Sequence, residues 1–411
     1  MDILIFSINY WPEQFGIAPF ATGRAEFLAS RGHHVTVCTG FPYYPDWRVL
    51  PHYRKKIIAT EAVNGVTILR SWLYVPGRVS SVTRMIHEAS FVASTFARAL
   101  GHKRPELILA ISPPLGLGLV ALLLGRLWAV PYTVHVADLQ PDAAADLGMI
   151  RNRGLLAFLY WVERLVYRNA VLISSLTPPM RDRVISKGVK EDKVALFPDW
   201  ADPLLFGISI DDQGRGFRER FGFDSNFLVT HSGNMGVKQG LDVVLDAAAE
   251  ARDKRRVKFL LVGDGAARPT LEKQAKRRSL ENVCFVPTQP KAMFLELLAA
   301  TDLALITQQR SVADIVFPSK TITLLAAGRP VVASVNAESE VARVINASGA
   351  GVVVPPEDSR ALLQAISELQ CNSYRRKMCG LNGRAYAQDT WERVKILEQM
   401  EQSLLKAGAR H

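Results

Sequence analysis

Short apolar runs rich in β-branched residues alternate with helix-compatible stretches along almost the whole chain, and this alternation constrains the fold more than any single motif. In the first half the runs predict strands over 2–9, 34–39, 66–70, 106–111, 131–136, 170–174 and 194–197. Helices are expected between them at 20–31, 84–101, 115–128, 154–168 and 178–187. The connector Phe197-Pro198-Asp199-Trp200-Ala201-Asp202-Pro203 interrupts the pattern with prolines and acids, and the alternation then restarts. Strands over 227–231, 257–262, 282–285, 302–305, 330–333 and 351–353 alternate with helices at 239–252, 267–279, 291–299, 319–327, 338–346 and 358–369. Strand, helix, strand in succession requires parallel pairing with helices on both faces. The expected architecture is therefore α/β: two doubly wound, Rossmann-like parallel sheets facing a central cleft. Residues 1–198 would form the first domain and 199–384 the second, with the last helical region, 385–411, packing back on the first. Ligands are expected at the carboxyl ends of the strands.

A chain of 411 residues, 48% hydrophobic and 22% charged, has core enough for two such domains. Its cysteines, Cys38, Cys284, Cys371 and Cys379, lie far apart, fit no zinc spacing and suit a reduced cytoplasm, so no metal site is expected. The opening MDILIFSINY is a strand rather than a leader with a basic start, and the mature chain is expected to begin at Met1. The uncharged run Leu107 to Leu124 has the apolarity of a membrane span. Pro113-Pro114 and glycines divide it into a strand to Ser112, a turn and an apolar helix ending near Arg126. The net charge of +11 is uneven: residues 1–200 hold 22 Lys+Arg against 15 Asp+Glu, a balance of +7. Arg70, Arg78, Arg84, Arg98, Lys103 and Arg104 sit among Trp72, Leu73, Tyr74, Met85, Ile86, Phe91 and Phe96, a mixture suited to an anionic membrane surface. A merely solvated basic face is the plain alternative. Nucleic acid is not the expected partner, since no RNA- or DNA-binding motif is present.

Two stretches of the second half suit a phosphate. In FPSKTITLLAAGRPVVAS, Ser319 is expected to cap a helix that Gly328 stops before a strand opened by Pro330. Free N–H groups, the helix dipole and the Lys320 ammonium would then converge, although an ordinary capped helix with a solvated lysine reads the same way. In the turn His231-Ser232-Gly233-Asn234-Met235-Gly236-Val237-Lys238-Gln239-Gly240, three glycines let the backbone approach an anion and Lys238 can neutralise a pyrophosphate. Two such turns in one domain, each with a lysine, weigh more than either alone. Between them, Leu260 to Gly265 reads as a strand ending in a tight turn, a backbone feature. His135 and Asp138, in HVADLQPD, follow a strand and should point into the cleft, yet a lone histidine there is more often structural and Asp138 could cap the next helix. Glu163 and Arg164 read as surface residues.

In this order, SGNMGVKQGLDVVLDAA, LLVGDGAARPTLE, FVPTQ and PSKTITLLAAGRPVVAS resemble the donor half of nucleotide-sugar glycosyltransferases of the GT-B fold, glycosyltransferase family 4. The first half agrees through INYWPEQFGIAPFATGRAEFLASRGHHVTVCTGFPYYP, HVADLQPD and ERLVYRNAVLISSLTPPMRDRVISKGV. A narrower likeness is to enzymes of colanic acid and O-antigen assembly that transfer fucose or N-acetylfucosamine. The resemblance implies that Lys238 binds the pyrophosphate, while the family's arginine a few residues earlier is replaced by Asn234. The family's two glutamates fall on Ile315 and Thr323, neither acidic. Thr323 would then hold the ribose by its hydroxyl, Asp314 would take over a sugar contact, and Pro318, Ser319 and Lys320 would compensate beside the leaving phosphate. Gly233, Gly236 and Gly263 would line the donor, and Val286 to Gln289 would meet the base through backbone groups. By the same resemblance His135 contacts the donor sugar, and Glu13 and Gly16, in WPEQFGIA, approach donor phosphate or acceptor.

The function implied is transfer of a sugar from a nucleotide diphosphate sugar, UDP favoured over GDP, to a lipid-linked glycan acceptor in surface-polysaccharide biosynthesis. His135, Asp138, Lys238 and Lys320 would be catalytic, configuration would be retained, and neither a metal nor a further cofactor would be needed. The expected place is the cytoplasm, peripheral on the inner face of the plasma membrane. Two other readings share these residues. A GT-B sugar-nucleotide epimerase would release free epimerised nucleotide sugar, and a non-catalytic subunit of a glycosyltransferase complex would fit the missing glutamates and Asn234.

Overall fold

The computed structural model describes residues 1–146, 150, 152–211, 214–251, 256–311 and 319–409. They divide into two compact units, Met1–Asp199 with Val394–His411, and Trp200–Arg393. In the first unit the described strands are β1 (Asp2–Phe6), β2 (His34–Gly40), β3 (Ile58–Val63), β4 (Val66–Ser71), β5 (Leu107–Ser112), β6 (Tyr132–Val136), β7 (Leu172–Ser175) and β8 (Val194–Leu196). They form one sheet in the order β3-β4-β2-β1-β5-β6-β7-β8, parallel except for β3. β5 and β6 are buried from end to end, as parallel strands covered on both faces are, and β5, LILAIS, is accordingly apolar up to its last residue rather than alternating. After β5 the chain turns at Pro113-Pro114 and continues as the helix Gly116–Trp128. Among the described residues no helix is long and apolar enough to cross a membrane.

β3 is absent from the expected strands. It pairs antiparallel with β4 through a turn at Asn64-Gly65, both at positive φ (49° and 80°). Asn-Gly is the dipeptide that such a two-residue turn selects, and the alternation of exposed and half-buried residues in IATEAV is that of an edge strand.

Burial corrects three expectations about charge and apolar surface. Arg70, assigned to a basic surface, has a fully buried side chain on β4. Its guanidinium donates to Glu61 at 2.7 Å, to the Trp11 carbonyl at 2.7 Å and to the Gly40 carbonyl at 3.3 Å, so its donors are matched inside the fold. Leu73 and Phe91 of the same set are buried too and Phe96 is half-buried, leaving Trp72, Tyr74, Met85 and Ile86 exposed. Glu163, assigned to the surface, is fully buried in the helix Arg153–Asn169, where the Lys187 ammonium reaches it at 2.7 Å and also bonds Asp142. Burial raises the Glu163 pKa, and the Lys187 charge opposes that rise. Arg164 is exposed.

In the second unit the described strands are β9 (Phe227–Ser232), β10 (Val257–Val262), β11 (Val283–Val286), β12 (Leu303–Thr307), β13 (Val331–Ser334) and β14 (Gly351–Val354), all parallel, in the order β11-β10-β9-β12-β13-β14. Alternate residues of β12 serve two cores. Leu303 and Leu305 pack with Val229, Phe259 and Leu362, whereas Ala304 and Ile306 pack with Ile322, Leu325 and Val341. From β9 the chain proceeds outward to β10 and β11; β12 begins the run in the other direction. The topological switch point, where ligands of such sheets bind, therefore lies between β9 and β12.

The chain's return begins later than the sequence suggests. The helix Ser373–Thr390 stays with the second unit, and the segment grouped with the first starts at Val394 rather than at 385. There the helix Arg393–Gly408 presents Glu401, which accepts from Arg31 at 3.1 Å and pairs with His33 at 3.0 Å.

Candidate functional site

At the carboxyl end of β9 the chain leaves the sheet through Gly233 to Gly236. The Gly233 N–H (φ +124°) donates to the Val262 carbonyl at 2.9 Å, and the Met235 N–H donates to the Asp264 carbonyl at 2.8 Å while its side chain is fully buried. Gly263 (φ +136°) and Gly265 (φ +154°) belong to the neighbouring turn after β10. A Cβ on Gly263 would lie 1.9 Å from the Gly233 carbonyl oxygen, and one on Gly265 would lie 2.6 Å from the Met235 carbonyl. Two turns thus pack backbone on backbone, which only glycine permits. Gly263 accordingly supports Gly233. The Asn234 amide lies against Gly236 and Gly265.

The helix start expected directly after this loop is displaced. Val237–Gln239 forms a 3-10 turn, Gly240 is left-handed at φ +56°, and the α-helix begins only at Asp242, which puts a negative charge in its first turn. The group of this loop that can draw an anion is therefore the Lys238 ammonium and not a helix terminus. The Lys238 carbonyl accepts from the Gln309 N–H at 2.8 Å, tying the loop to the segment after β12.

Lys320 reaches the switch point from the β12 side. Its Nζ is buried without a hydrogen-bond partner among the described residues. A Cβ on Gly233 would lie 3.9 Å from both Cε and Nζ, so the ammonium sits over the Gly233 backbone. Burial pushes its pKa down from the ordinary 10.5 to about 8. His231, near the end of β9, is fully buried, and its imidazole has no well-aligned hydrogen bond among the described residues; burial first, then the Lys320 charge, hold its pKa well below the ordinary range against a weaker opposing pull from the Asn234 backbone, so the ring is neutral. Thr307 Oγ1, at the end of β12, and Gln239 Oε1 are likewise buried without partners among the described residues. The large majority of buried side-chain polar atoms in proteins are hydrogen-bonded. A set of orphans at two adjacent strand ends, on a switch point, marks the seat of a polar ligand, and the cation among them favours an anion.

The other expected contacts fare differently. Ser319 does not cap: its backbone is itself helical (φ −55°, ψ −22°) and its side chain makes no capping bond, because a capping hydroxyl needs an extended backbone to reach back. Thr323 Oγ1 donates to the Ser319 carbonyl at 3.3 Å and keeps only its lone pairs for a ribose. The Val286 carbonyl is occupied by the Gly263 N–H at 3.0 Å, and the Gln289 side chain donates to the Pro287 carbonyl at 2.8 Å. Asp314, Ile315 and Pro318 lie outside the described residues. His231 and Thr307 were not among the expected site residues, although Thr307 is the one polar residue of LALIT, at its end, and His231 lies in the polar end of FLVTHS.

In the first unit His135 lies on β6 and not beyond it, opposite Ile111 and Ser174. Its Nδ1 bonds Ser174 Oγ at 2.9 Å and its Nε2 is buried without a partner. Burial, then the charge of Arg24, hold its pKa well below the ordinary range. A neutral ring within the sheet replaces the expected side chain projecting past the strand. Asp138, two residues beyond β6, is half-buried, and its charge bears on the buried Tyr167 hydroxyl. Glu13 is an anchor and not a free ligand: Oε1 accepts the Tyr43 and Tyr44 N–H groups at 2.8 and 2.7 Å, and Oε2 accepts from Asn9 at 2.9 Å. Burial raises its pKa against the pull of those bonds. Gly16 is exposed at φ +63° before the helix Ala18–Ser30, where a Cβ would meet only Tyr44 at 3.8 Å; conformation, not crowding, selects glycine. Among the described residues no group of three His, Cys, Asp or Glu could hold a metal ion.

A family model described as "Glycosyl transferase 4-like domain" matches residues 15–200, and one described as "Glycosyl transferases group 1" matches residues 226–372. The chain is 32% identical over 406 residues to WcaI of Escherichia coli (strain K12), named as a colanic acid biosynthesis glycosyl transferase, covering 97% of this chain and 98% of that protein. Among solved structures it resembles a sucrose-phosphate synthase from Thermosynechococcus elongatus (TM-score 0.75, 20% identity, 100% of this chain and 99% of that one). It also resembles HepE of Anabaena, solved in complex with UDP (TM-score 0.73, 19% identity, 99% of this chain and 100% of that one). With two Rossmann-like sheets, two matching family models and a relative that matches nearly end to end, the chain belongs to the nucleotide-sugar glycosyltransferases of the GT-B fold, in the family-4-like group.

Proposed function

We propose that the protein transfers a sugar from a UDP-sugar to a lipid-linked glycan acceptor in surface-polysaccharide biosynthesis, at the cytoplasmic face of the inner membrane and with retention of configuration. The observation that carries this reading is Lys320: a buried ammonium with no counterion among the described residues, over the Gly233 backbone at the switch point, has the chemistry to receive a diphosphate. Lys238, on the loop pinned by Gly263, supplies the second cation in place of the arginine that Asn234 replaces. As the bond from the anomeric carbon to the diphosphate oxygen breaks, negative charge grows on the β-phosphate, and both ammonium groups meet it. The acceptor hydroxyl bonds to the anomeric carbon from the same face and gives its proton to the departing diphosphate, so no carboxylate nucleophile is required. The name of the WcaI relative supports a polysaccharide role, and the UDP bound by HepE supports UDP as the nucleotide. A fucose or N-acetylfucosamine type of sugar is the narrower form of the proposal.

Membrane association rests on the helix Ser81–Leu100, whose exposed Val82, Met85 and Ile86 follow one helical stripe beside exposed Arg78 and Arg84. The test is a transfer assay with the purified chain, a panel of UDP- and GDP-linked sugars and a membrane extract of lipid-linked saccharides. Transfer from a UDP-sugar into the lipid fraction is expected. Release of free epimerised nucleotide sugar without acceptor, or no turnover of any donor, would refute the proposal.

A further inference from the structure

Lys320 is a buried cation that no described carboxylate pairs. The acids of the neighbouring elements are placed elsewhere: Asp264, beyond β10, accepts from the Gly265 N–H at 2.7 Å, and Asp242 opens the helix after the loop. Among the described residues the titratable group that feels the Lys320 charge is His231, and the cation of the neighbouring loop is Lys238. An arginine here would keep its proton under all conditions, whereas a buried lysine without a counterion gives it up readily. A bound diphosphate supplies the missing counterion.

We propose that binding of a diphosphate at the β9/β12 switch point takes up a proton from solvent, accepted by Lys320 beside neutral His231, so that donor affinity falls as the medium turns alkaline. This rests on the donor-site reading above and adds its proton linkage. In the free protein the Lys320 pKa is about 8. The anion restores the charged form, so about three-quarters of a proton should enter per UDP at pH 8.5, and affinity should drop about tenfold between pH 7 and pH 9. His231 stays neutral across this range, because charging it would place a second cation beside the first in a buried site.

The experiment is titration calorimetry of the full chain with UDP at pH 8.5 in Tris and in EPPS, buffers of different ionisation enthalpy. The observed heat should differ between them by about three-quarters of the difference in ionisation enthalpy. In Lys320→Arg, which stays positive, that dependence should vanish while UDP still binds. Equal heats in the two buffers with wild-type protein, or a dependence retained in Lys320→Arg, would overturn the coupling and leave the donor site standing. Absence of binding by both UDP and GDP would overturn the coupling together with the donor-site reading. The wild-type measurement decides the question even where the arginine variant fails to fold.

Discussion

Replacing Lys320 with methionine should make the free protein more stable and the enzyme slower. Methionine fills much of the lysine stem's space without a charge. The fall of the Lys320 pKa from 10.5 to about 8 measures what the folded state loses by holding the ammonium there. At about 1.4 kcal/mol per pH unit this is about 3 kcal/mol. The sign follows from a folded pKa below the unfolded one. Below pH 8 the lysine is charged in both states and the folded protein bears the full cost. Between pH 8 and 10.5 the folded protein sheds the proton first and the cost fades; above 10.5 neither state holds it. Urea unfolding should therefore show Lys320→Met more stable than wild type by up to about 3 kcal/mol at pH 7, with the gap closing toward pH 10. Turnover should fall about 10²- to 10³-fold, the loss expected when one preorganised donor to a developing anion is removed. Gain of stability with loss of activity is the signature of a strained functional group. A Lys320→Met protein less stable than wild type at pH 7 would refute the reasoning and make the lysine structural.

Alanine at Lys238 or at Lys320 should each lower turnover about 10²- to 10³-fold, and the double variant should lose far less than the product of the two, since groups acting on one leaving group are not additive. A folded Lys238→Ala protein with near-full transfer would remove that residue from the mechanism. Lys187→Met leaves the buried Glu163 carboxylate without its cation, while Arg183 still holds Asp142, and should cost about 3–5 kcal/mol in urea unfolding; a loss under about 1 kcal/mol would contradict the reading of this network. Charge reversal of the exposed Arg78 and Arg84 to glutamate should weaken sedimentation with anionic vesicles about thirtyfold, at about 1 kcal/mol for each basic residue lost, and high salt should mimic it. Unchanged sedimentation would count against membrane docking.

The sequence by itself determined what local physics governs. The strand and helix alternation, the division of the 107–124 run at Pro113-Pro114 and the two lysine-bearing loops all follow from hydrophobic period and turn residues acting over a few positions. The β3–β4 hairpin was within reach by the same means, through Asn64-Gly65. Tertiary structure alone decided which charges lie inside. Arg70 is buried because Glu61, Gly40 and Trp11 converge on it, and Glu163 because Lys187 does; whether a charge can leave water depends on partners that chain order does not reveal. The same holds for the anion seat. His231 and Lys320 are 89 positions apart in sequence. Only the pairing of β9 with β12 sets them side by side, and only burial there leaves the Lys320 ammonium without a hydrogen-bond partner among the described residues.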